Sequence, residues 1–128
     1  LKKSNVEYLG YIKNIQSVIK KYDCVILPSY REGISRTILE AGAQSIPVIA
    51  ANVPGCKDII KHKVNGLLCK PRSVKSLVKS IEYFLNLNLK QKKKLSNKSI
   101  DIINKKFNQS KILKFYYKSI LNVVNKTK

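Results

Sequence analysis

Two acidic residues eight positions apart carry the clearest chemical signal in this sequence. Glu32 is followed directly by Gly33, and Glu40 closes the same segment. An ionised carboxylate accepts strong hydrogen bonds, so both side chains suit the hydroxyl groups of sugar rings. A glycine after the first carboxylate has no Cβ, which lets the main chain approach a ligand closely.

The elements on either side predict where this pair lies. Apolar runs at 25–27 and 46–50 flank it, and we interpret them as parallel strands joined by a loop and a helix from about Ser35 or Arg36 to Gln44. Ligands of open α/β sheets bind at the carboxyl ends of the strands. A helix start there offers N–H groups and a positive dipole end to a diphosphate. A diphosphate between two hydroxyl-rich rings indicates a nucleotide-sugar.

The rest of the chain continues this alternation. The predicted elements are strands at 6–9, 24–27, 46–50 and 67–69, and helices at 15–22, 36–44, 56–62, 73–86, 88–106 and 109–125. Four strands alternating with helices are typical of an α/β fold with a parallel sheet. We therefore expect residues 1–128 to form part of a Rossmann-like, nucleotide-sugar-binding domain, with residues 88–128 as its C-terminal helical tail. The small sheet and the start at Leu1 suggest that the opening strands precede this chain.

Charge and composition restrict the class of protein. Lys and Arg number 26 against 7 Asp and Glu, a net charge of +19, and 16 of these bases lie in residues 70–128. Such a field attracts nucleic acid, anionic lipids or phosphorylated substrates, although codon bias in an AT-rich genome also produces a lysine-rich chain. No apolar run reaches the roughly 18–20 residues that cross a bilayer. The three cysteines, which form no Cys-x-x-Cys pair, are expected to be buried thiols of a cytoplasmic protein.

Six co-linear blocks resemble the C-terminal domain of retaining glycosyltransferases of family 4. The blocks are Leu27-Pro28-Ser29, Glu32-Gly33, Leu39-Glu40-Ala41, Ile46-Pro47-Val48-Ile49-Ala50, Val53-Pro54-Gly55 and Asn65-Gly66-Leu67-Leu68. These enzymes have the GT-B fold, in which two Rossmann-like domains face a cleft. The resemblance implies an α/β, Rossmann-like parallel sheet flanked by helices that is a partial C-terminal domain of a GT-B glycosyltransferase, with the N-terminal acceptor domain outside this chain.

The resemblance also implies roles for single residues. Glu32 would be the catalytic residue beside the donor sugar, and Glu40 would bind the nucleotide ribose. Donor-binding main-chain amides would come from Gly33, Ile34, Ser35, Arg36 and Thr37. Many family members have Gly or Pro where this chain has Ser35 and Arg36, so the sugar pocket is expected to differ in shape. Neither a metal ion nor a cofactor is expected, and Glu40 also has the spacing to pair with Arg36 on one helix face.

The implied function is transfer of a sugar, with retention, from a nucleotide-sugar to an acceptor sugar or lipid-linked sugar in bacterial surface polysaccharide or lipopolysaccharide synthesis. This chain would supply donor binding and would be inactive alone. The protein is expected in the cytoplasm, in peripheral contact with the anionic inner face of the cell membrane. Two alternatives stay open: a non-enzymatic basic module that binds membrane or nucleic acid, and a GT-B sugar-nucleotide epimerase. Nucleic acid is not an expected partner, because Tyr116, an aromatic residue of the basic tail, falls in an apolar stripe that predicts core packing.

Overall fold

The computed structural model describes residues 5–126, and side chains within that range up to Asn125. Three strands and five helices follow one another along these residues. They are α1 (Ile15–Ile19), β1 (Val25–Leu27), α2 (Arg36–Ala43), β2 (Val48–Ala51), β3 (Gly66–Cys69), α3 (Val74–Leu85), α4 (Leu89–Lys106) and α5 (Gln109–Lys126). The predicted alternation of strands and helices is confirmed for residues 15–51, and the strand and helices predicted after residue 65 are confirmed as well.

The three strands form one parallel sheet in the order β1-β2-β3. Val25 of β1 lies opposite Val48 of β2, which in turn lies opposite Gly66 of β3. Because the strands are parallel, their carboxyl ends open at the same edge of the sheet. The loops that begin at residues 28, 52 and 70 leave from that edge, as the sequence predicts for a ligand-binding edge.

Helices cover both faces of the sheet. The central strand β2 is buried along its whole length, as expected for a parallel strand between two helical layers. On one face, Val48 and Ala50 belong to a cluster with Ile38 of α2 and Ile103 of α4. On the other face, Ile49 belongs to a second cluster, which is completed by Leu67, Phe84 and Leu95. The sheet is thereby held rigid from both sides, and its carboxyl edge becomes a fixed platform.

The strand predicted at residues 6–9 is wrong. These described residues adopt neither strand nor helix, and Val6 and Tyr8 are 81% and 92% exposed. Val-Glu-Tyr-Leu has the composition of a strand, but strand preference largely reflects packing on a half-buried sheet surface. With those side chains in solvent, the described sheet has three strands rather than four.

The short helix predicted at residues 56–62 is also wrong, since turns at residues 54–59 are followed by two irregular residues and a bridge from His62 to Gly66. The buried side chain of Asn65 explains the difference. Its Oδ1 accepts a hydrogen bond from the Lys61 N–H at 2.6 Å, and its Nδ2 donates to the Ile59 carbonyl at 3.1 Å. Main-chain groups that a helix would use are thus satisfied by a side chain, as is common for asparagine in turns.

The last helix, α5, has an exposed apolar face. Tyr116 is 60% exposed and Ile120 is 61% exposed, so the core packing predicted for this stripe is wrong for the described residues. The spacing of the stripe does predict the helix itself, because the prediction of an amphipathic helix needs only local periodicity. None of the helices that the structure describes is both long and apolar enough to cross a membrane.

Candidate functional site

Glu32 lies in the loop that leaves the carboxyl end of β1. Its carboxylate is half-buried, and Oε1 accepts a hydrogen bond of 2.7 Å from the hydroxyl group of Ser29. A hydroxyl–carboxylate bond of this length is charge-assisted and restricts the rotamer of the acid. Ser29 therefore holds Glu32 in place while other lone pairs of the carboxylate remain free to accept from a ligand.

The loop that follows β2 packs directly on the main chain of the Glu32 loop. Gly55 has a φ of +82°, and a Cβ built on it would overlap the carbonyl oxygen of Gly33 and lie 2.9 Å from that of Glu32. Both features require glycine, the first because L-residues rarely adopt that φ and the second because of space. The two loops that carry the Glu-Gly and Pro-Gly blocks of this sequence thus form one unit.

Asp58 fixes the second loop. Its Oδ2 accepts a hydrogen bond of 2.9 Å from the Gly55 N–H, which stabilises the turn that brings Gly55 against Gly33. Cys56, the next residue, is fully buried. Burial, followed by the negative charges of Glu32 and Asp58, raises the pKa of the Cys56 thiol, which therefore stays protonated at neutral pH.

The amino end of α2 lies directly after the Glu32 loop. Ser35 is the N-cap and is buried, yet its side chain makes no capping hydrogen bond within the described structure. The first N–H groups of a helix have no intrahelical acceptor. Those of Arg36 and Thr37, both exposed residues, are thus available at the carboxyl edge of the sheet, and no acidic side chain of this described helix occupies its first turn.

Glu40 lies one turn further along α2. Its Oε1 accepts a bond of 3.3 Å from the Arg36 guanidinium, so the pairing that the spacing predicts is confirmed. The Arg36 side chain is 89% exposed and that of Glu40 is 25% exposed. A pair four residues apart on one helix face, with its arginine in solvent, contributes only about 0.3–0.5 kcal/mol, so it leaves Glu40 able to exchange Arg36 for another partner.

Gly33 and Ile34 form the exposed tip of the Glu32 loop. A Cβ built on Gly33 would meet no described atom within 4 Å, and the φ of Gly33 lies outside the left-handed region. The fold itself therefore sets no requirement for glycine at this position. Ile34 is 62% exposed, which places an apolar side chain in solvent beside the half-buried acid.

Sequence reasoning assigned too little to Ser29, Gly55 and Asp58. Their signals are present, since Ser29 and Gly55 belong to blocks of the resemblance, but their partners Glu32 and Gly33 are known only from the tertiary structure.

His62 has a structural role: its Nδ1 accepts a bond of 2.9 Å from the Leu68 N–H. Burial, followed by the charge of Lys63, lowers its pKa, so the ring is neutral and suited to accept.

A cleft of about 400 Å³ lies away from the Glu32 loop, between the turn at residues 61–65 and the start of α4. It is lined by apolar side chains with Lys63, Lys94 and Lys98 at its rim, and it does not include the Glu32 loop. We place the candidate site at the carboxyl edge because Glu32, the start of α2 and the two packed loops meet there, with Glu40 one turn further along α2. Within residues 5–126, no group of three or more metal-ligating side chains is arranged to hold a metal ion.

Comparison with known proteins agrees with this architecture. The family described as glycosyl transferases, group 1, matches residues 1–101. The N,N'-diacetylbacillosaminyl-diphospho-undecaprenol alpha-1,3-N-acetylgalactosaminyltransferase of Campylobacter jejuni is 32% identical over 62% of this chain and 21% of its own. The lipopolysaccharide 1,6-galactosyltransferase of Escherichia coli is 31% identical over 89% of this chain and 31% of its own.

Solved structures share the fold. Anabaena Alr3699/HepE, crystallised with UDP-glucose, superposes with a TM-score of 0.85 at 23% identity, over 94% of this chain and 33% of its own. The C-terminal domain of LpcC, a glycosyl transferase group 1 protein of Francisella tularensis, superposes with a TM-score of 0.70 at 24% identity, over 81% of this chain and 53% of its own. The fold is that of part of a GT-B glycosyltransferase.

The chain belongs to the group 1 glycosyltransferases. It spans less than a third of the length of the two curated relatives described above.

Proposed function

We propose that this chain is the donor-binding part of a retaining glycosyltransferase of family 4. The enzyme transfers a sugar from a nucleotide-sugar to an acceptor sugar or lipid-linked sugar in bacterial surface polysaccharide or lipopolysaccharide synthesis. The observation that carries the proposal is the packing of Gly55 on the Glu32-Gly33 main chain beside the open start of α2. It keeps a carboxylate and helix-start N–H groups together at one edge of the sheet.

The proposed donor site follows from this arrangement. The diphosphate rests at the start of α2, where the N–H groups of Arg36 and Thr37 and the helix dipole favour negative charge. Glu40 binds the ribose hydroxyl groups after its weak pair with Arg36 opens. Glu32, held by Ser29, accepts from the sugar hydroxyl groups. The main chain of residues 33–35 completes the contacts, with Gly33 giving the closest approach.

The same residues account for the chemical step. Bond cleavage leaves a nucleoside diphosphate, whose growing negative charge is stabilised by preorganised N–H groups at the helix start. Positive charge builds on the sugar ring, and the Glu32 carboxylate stabilises it. Glu32 is not assigned as a nucleophile. Family membership and the names of the relatives favour sugar transfer over both a non-enzymatic basic module and an epimerase.

The domain assignment is part of the proposal. Residues 1–128 would be a partial nucleotide-sugar-binding domain, with residues 88–128 as its helical tail. The acceptor would be bound by a further domain, in keeping with relatives about three to five times as long as the matched region. One relative is named for a lipid-diphosphate-linked acceptor, which supports an acceptor of that kind here.

Donor binding is tested directly on this chain. We expect UDP-glucose, or the matching GDP or ADP sugar, to shift the amide signals of residues 33–37 in a ¹⁵N–¹H titration. Glu40→Ala should weaken that binding about tenfold, the loss of one bond to a charged group. Glu82→Ala, which removes an exposed acid of α3, is the matched control and should change nothing. Shifts confined to other surfaces would contradict the donor site.

The reaction is tested on the complete transferase. Glu32→Ala should lower kcat, and the anomeric configuration of the product, followed by ¹H NMR as it forms, should match that of the donor. An inverted product would contradict retention, and an unchanged kcat would remove Glu32 from the catalytic role.

We also infer peripheral contact with an anionic membrane, at the cytoplasmic face, through one side of α4. Lys90, Lys93, Lys94 and Lys98 line one groove on that helix, which also includes Asp101, 3.9 Å from the Lys98 ammonium group. A lysine close to an anionic surface contributes about 1 kcal/mol. The chain should co-sediment with phosphatidylglycerol vesicles at low salt and not with phosphatidylcholine vesicles.

Charge reversal on α4 tests which surface makes that contact. Lys90→Glu with Lys94→Glu should abolish co-sedimentation, whereas Lys57→Glu with Lys61→Glu, the same charge change on exposed residues of another loop, should not. Equal losses in both double variants would refute a specific surface and leave only the net charge of the chain.

A further inference from the structure

A second cationic cleft opens at the carboxyl edge of the sheet, beside the proposed donor loop. It has a volume of about 200 Å³, equal to six or seven water molecules in the liquid. Its walls come from two loops and the start of α3, and they include Tyr30, Lys70 and Arg72. No residue of the donor site described above, from Glu32 to Glu40, lines this cleft.

Arg72 has an unusual main-chain conformation. Its φ is +55°, in the left-handed region that long side chains rarely adopt. Two other non-glycine residues share this feature, and local hydrogen bonds explain both: Ser45 N–H donates to Gly42 at the end of α2, and Lys63 N–H donates to Gly66. Within residues 5–126, the Arg72 N–H donates to no protein acceptor. Such strain persists most often where function requires it.

The conformation brings the Arg72 guanidinium over the ring of Tyr30, with Cζ 5.4 Å from the ring centroid. Tyr30 lies two residues before Glu32 and is 69% exposed, so the cation stands next to the donor loop rather than in the core. The cation–π contact orients the guanidinium without neutralising its charge. A planar, oriented guanidinium is well suited to bind phosphate oxygens in pairs.

The charges of the cleft are not compensated by the protein. None of the described residues that line it is acidic, and neither Lys70 nor Arg72 forms an ion pair within residues 5–126. The main chain of Lys70 is fixed, because its N–H donates to the Ser76 hydroxyl at 2.8 Å. The start of α3 at Ser73 adds the positive end of a helix dipole to the same wall.

We propose that the cleft formed by Tyr30, Lys70 and Arg72 binds a phosphate or diphosphate group of the acceptor. That this phosphate belongs to the acceptor rests on the proposed function. That the cleft binds a phosphate does not rest on it. Two cations, one of them oriented, with no acidic partner favour an anion in this cleft. Tyr30 lies two residues before Glu32 in the same loop, so we place this anion on the acceptor side of the proposed sugar site. The diphosphate of the donor has its own place at the start of α2.

The test uses this chain, with inorganic pyrophosphate and farnesyl diphosphate as probes. Both should shift the amide signals of residues 30, 70 and 72–74 in a ¹⁵N–¹H titration, also when UDP is present at saturation. Farnesol, which lacks the diphosphate, should not. Arg72→Gln should raise the dissociation constant for both probes at least about tenfold, the loss of a charged hydrogen bond. Lys105→Gln, the same charge change on an exposed residue of α4, should leave it unchanged.

Arg72→Gly distinguishes loss of the binding group from loss of the folded state. Glycine adopts a φ of +55° without strain, so this variant should keep its Tm while losing the probes to the same extent. Equal weakening by Arg72→Gln and Lys105→Gln, or an absence of shifts at 70 and 72–74, would overturn the site. Binding of pyrophosphate without farnesyl diphosphate would overturn the acceptor assignment. Failure of UDP to bind would instead count against the donor site, since UDP binding does not depend on Arg72.

Discussion

Replacing Gly33 with alanine separates what the fold requires from what the ligand requires. The added Cβ meets no described atom within 4 Å, and the φ of Gly33 is outside the left-handed region, so the native state gains no strain. Alanine restricts the unfolded chain, which stabilises a protein by about 0.4–1 kcal/mol when the native conformation suits it. For a domain of this size we expect Tm to rise by about 2–5 °C.

Binding of the nucleotide-sugar should respond in the opposite direction. If the ligand lies against the main chain at Gly33, the new methyl group occupies its contact surface and breaks at least one charge-assisted hydrogen bond. Such a bond contributes about 1.5–3 kcal/mol. The dissociation constant of the donor should therefore rise about 10- to 100-fold, at 1.4 kcal/mol for each factor of ten.

Gly55→Ala is the contrasting variant, because there the fold itself requires glycine. A Cβ would overlap the Gly33 carbonyl oxygen, and the φ of +82° disfavours any L-residue. Strain of about 1–2 kcal/mol from the backbone and about 1–3 kcal/mol from overpacking should lower the free energy of unfolding by about 2–5 kcal/mol. That is a large part of the usual 5–15 kcal/mol for a domain.

Thermal unfolding followed by circular dichroism gives the stability of both variants, and amide titration with the donor gives the affinity. The reasoning is refuted if Gly33→Ala binds the donor as tightly as the unaltered chain, because the ligand then does not approach that main chain. It is equally refuted if Gly33→Ala unfolds the domain, since the loop tip would then have a structural role that the described contacts do not contain.

Three further variants or reagents test other contacts. Gly42→Ala puts a methyl group 2.8 Å from Ser99 Oγ, where α2 packs on α4, and should lower the free energy of urea unfolding by about 1–2 kcal/mol despite the better helix propensity of alanine. Ser29→Ala frees the Glu32 carboxylate and should lower kcat of the complete transferase more than it raises KM, with Tm nearly unchanged. Burial raises the pKa of Cys24 from 9.0 to about 12, so at pH 8 its thiolate fraction falls about a thousandfold and iodoacetamide should label it far more slowly than in the unfolded chain. The same shift implies that stability is retained below pH 9 and declines as the pH rises from 9 towards 12, which a pH series of urea unfolding measures.

Local signals predict most of the sheet and of the helices. An apolar run ended by Pro28 predicts β1, apolar positions three or four residues apart predict α3, and apolar positions every four residues predict α5. A serine directly before the apolar stripe is typical of an N-cap, and Ser73 does accept from the Ser76 N–H at 3.2 Å. These features depend on residues within one or two turns of each other, so the sequence contains all the information that they need.

Features that depend on distant partners could not be predicted in this way. Residues 6–9 have strand composition, but only a neighbouring strand and a covering layer would make them a strand. Asn65 redirects the main chain at 59–61 through hydrogen bonds that span up to six residues. The packing of Gly55 on Gly33 joins loops that are 22 positions apart in sequence, although both belong to blocks that the resemblance had singled out.

The proposed donor site is built mainly from the main chain, and this limits what its sequence can reveal. The start of α2, the tip at Gly33 and the wall at Gly55 present N–H and carbonyl groups that are the same for every residue type. The side chains that contribute are those of Glu32 and Glu40, which would bind hydroxyl groups common to sugars and riboses. Only exposed positions such as Ile34 can vary with the sugar without disturbing the fold. Preference for one donor sugar over another therefore depends on the few side chains that the fold leaves unconstrained. A substitution of Ile34 should change this preference more than a substitution of Glu32 or Glu40.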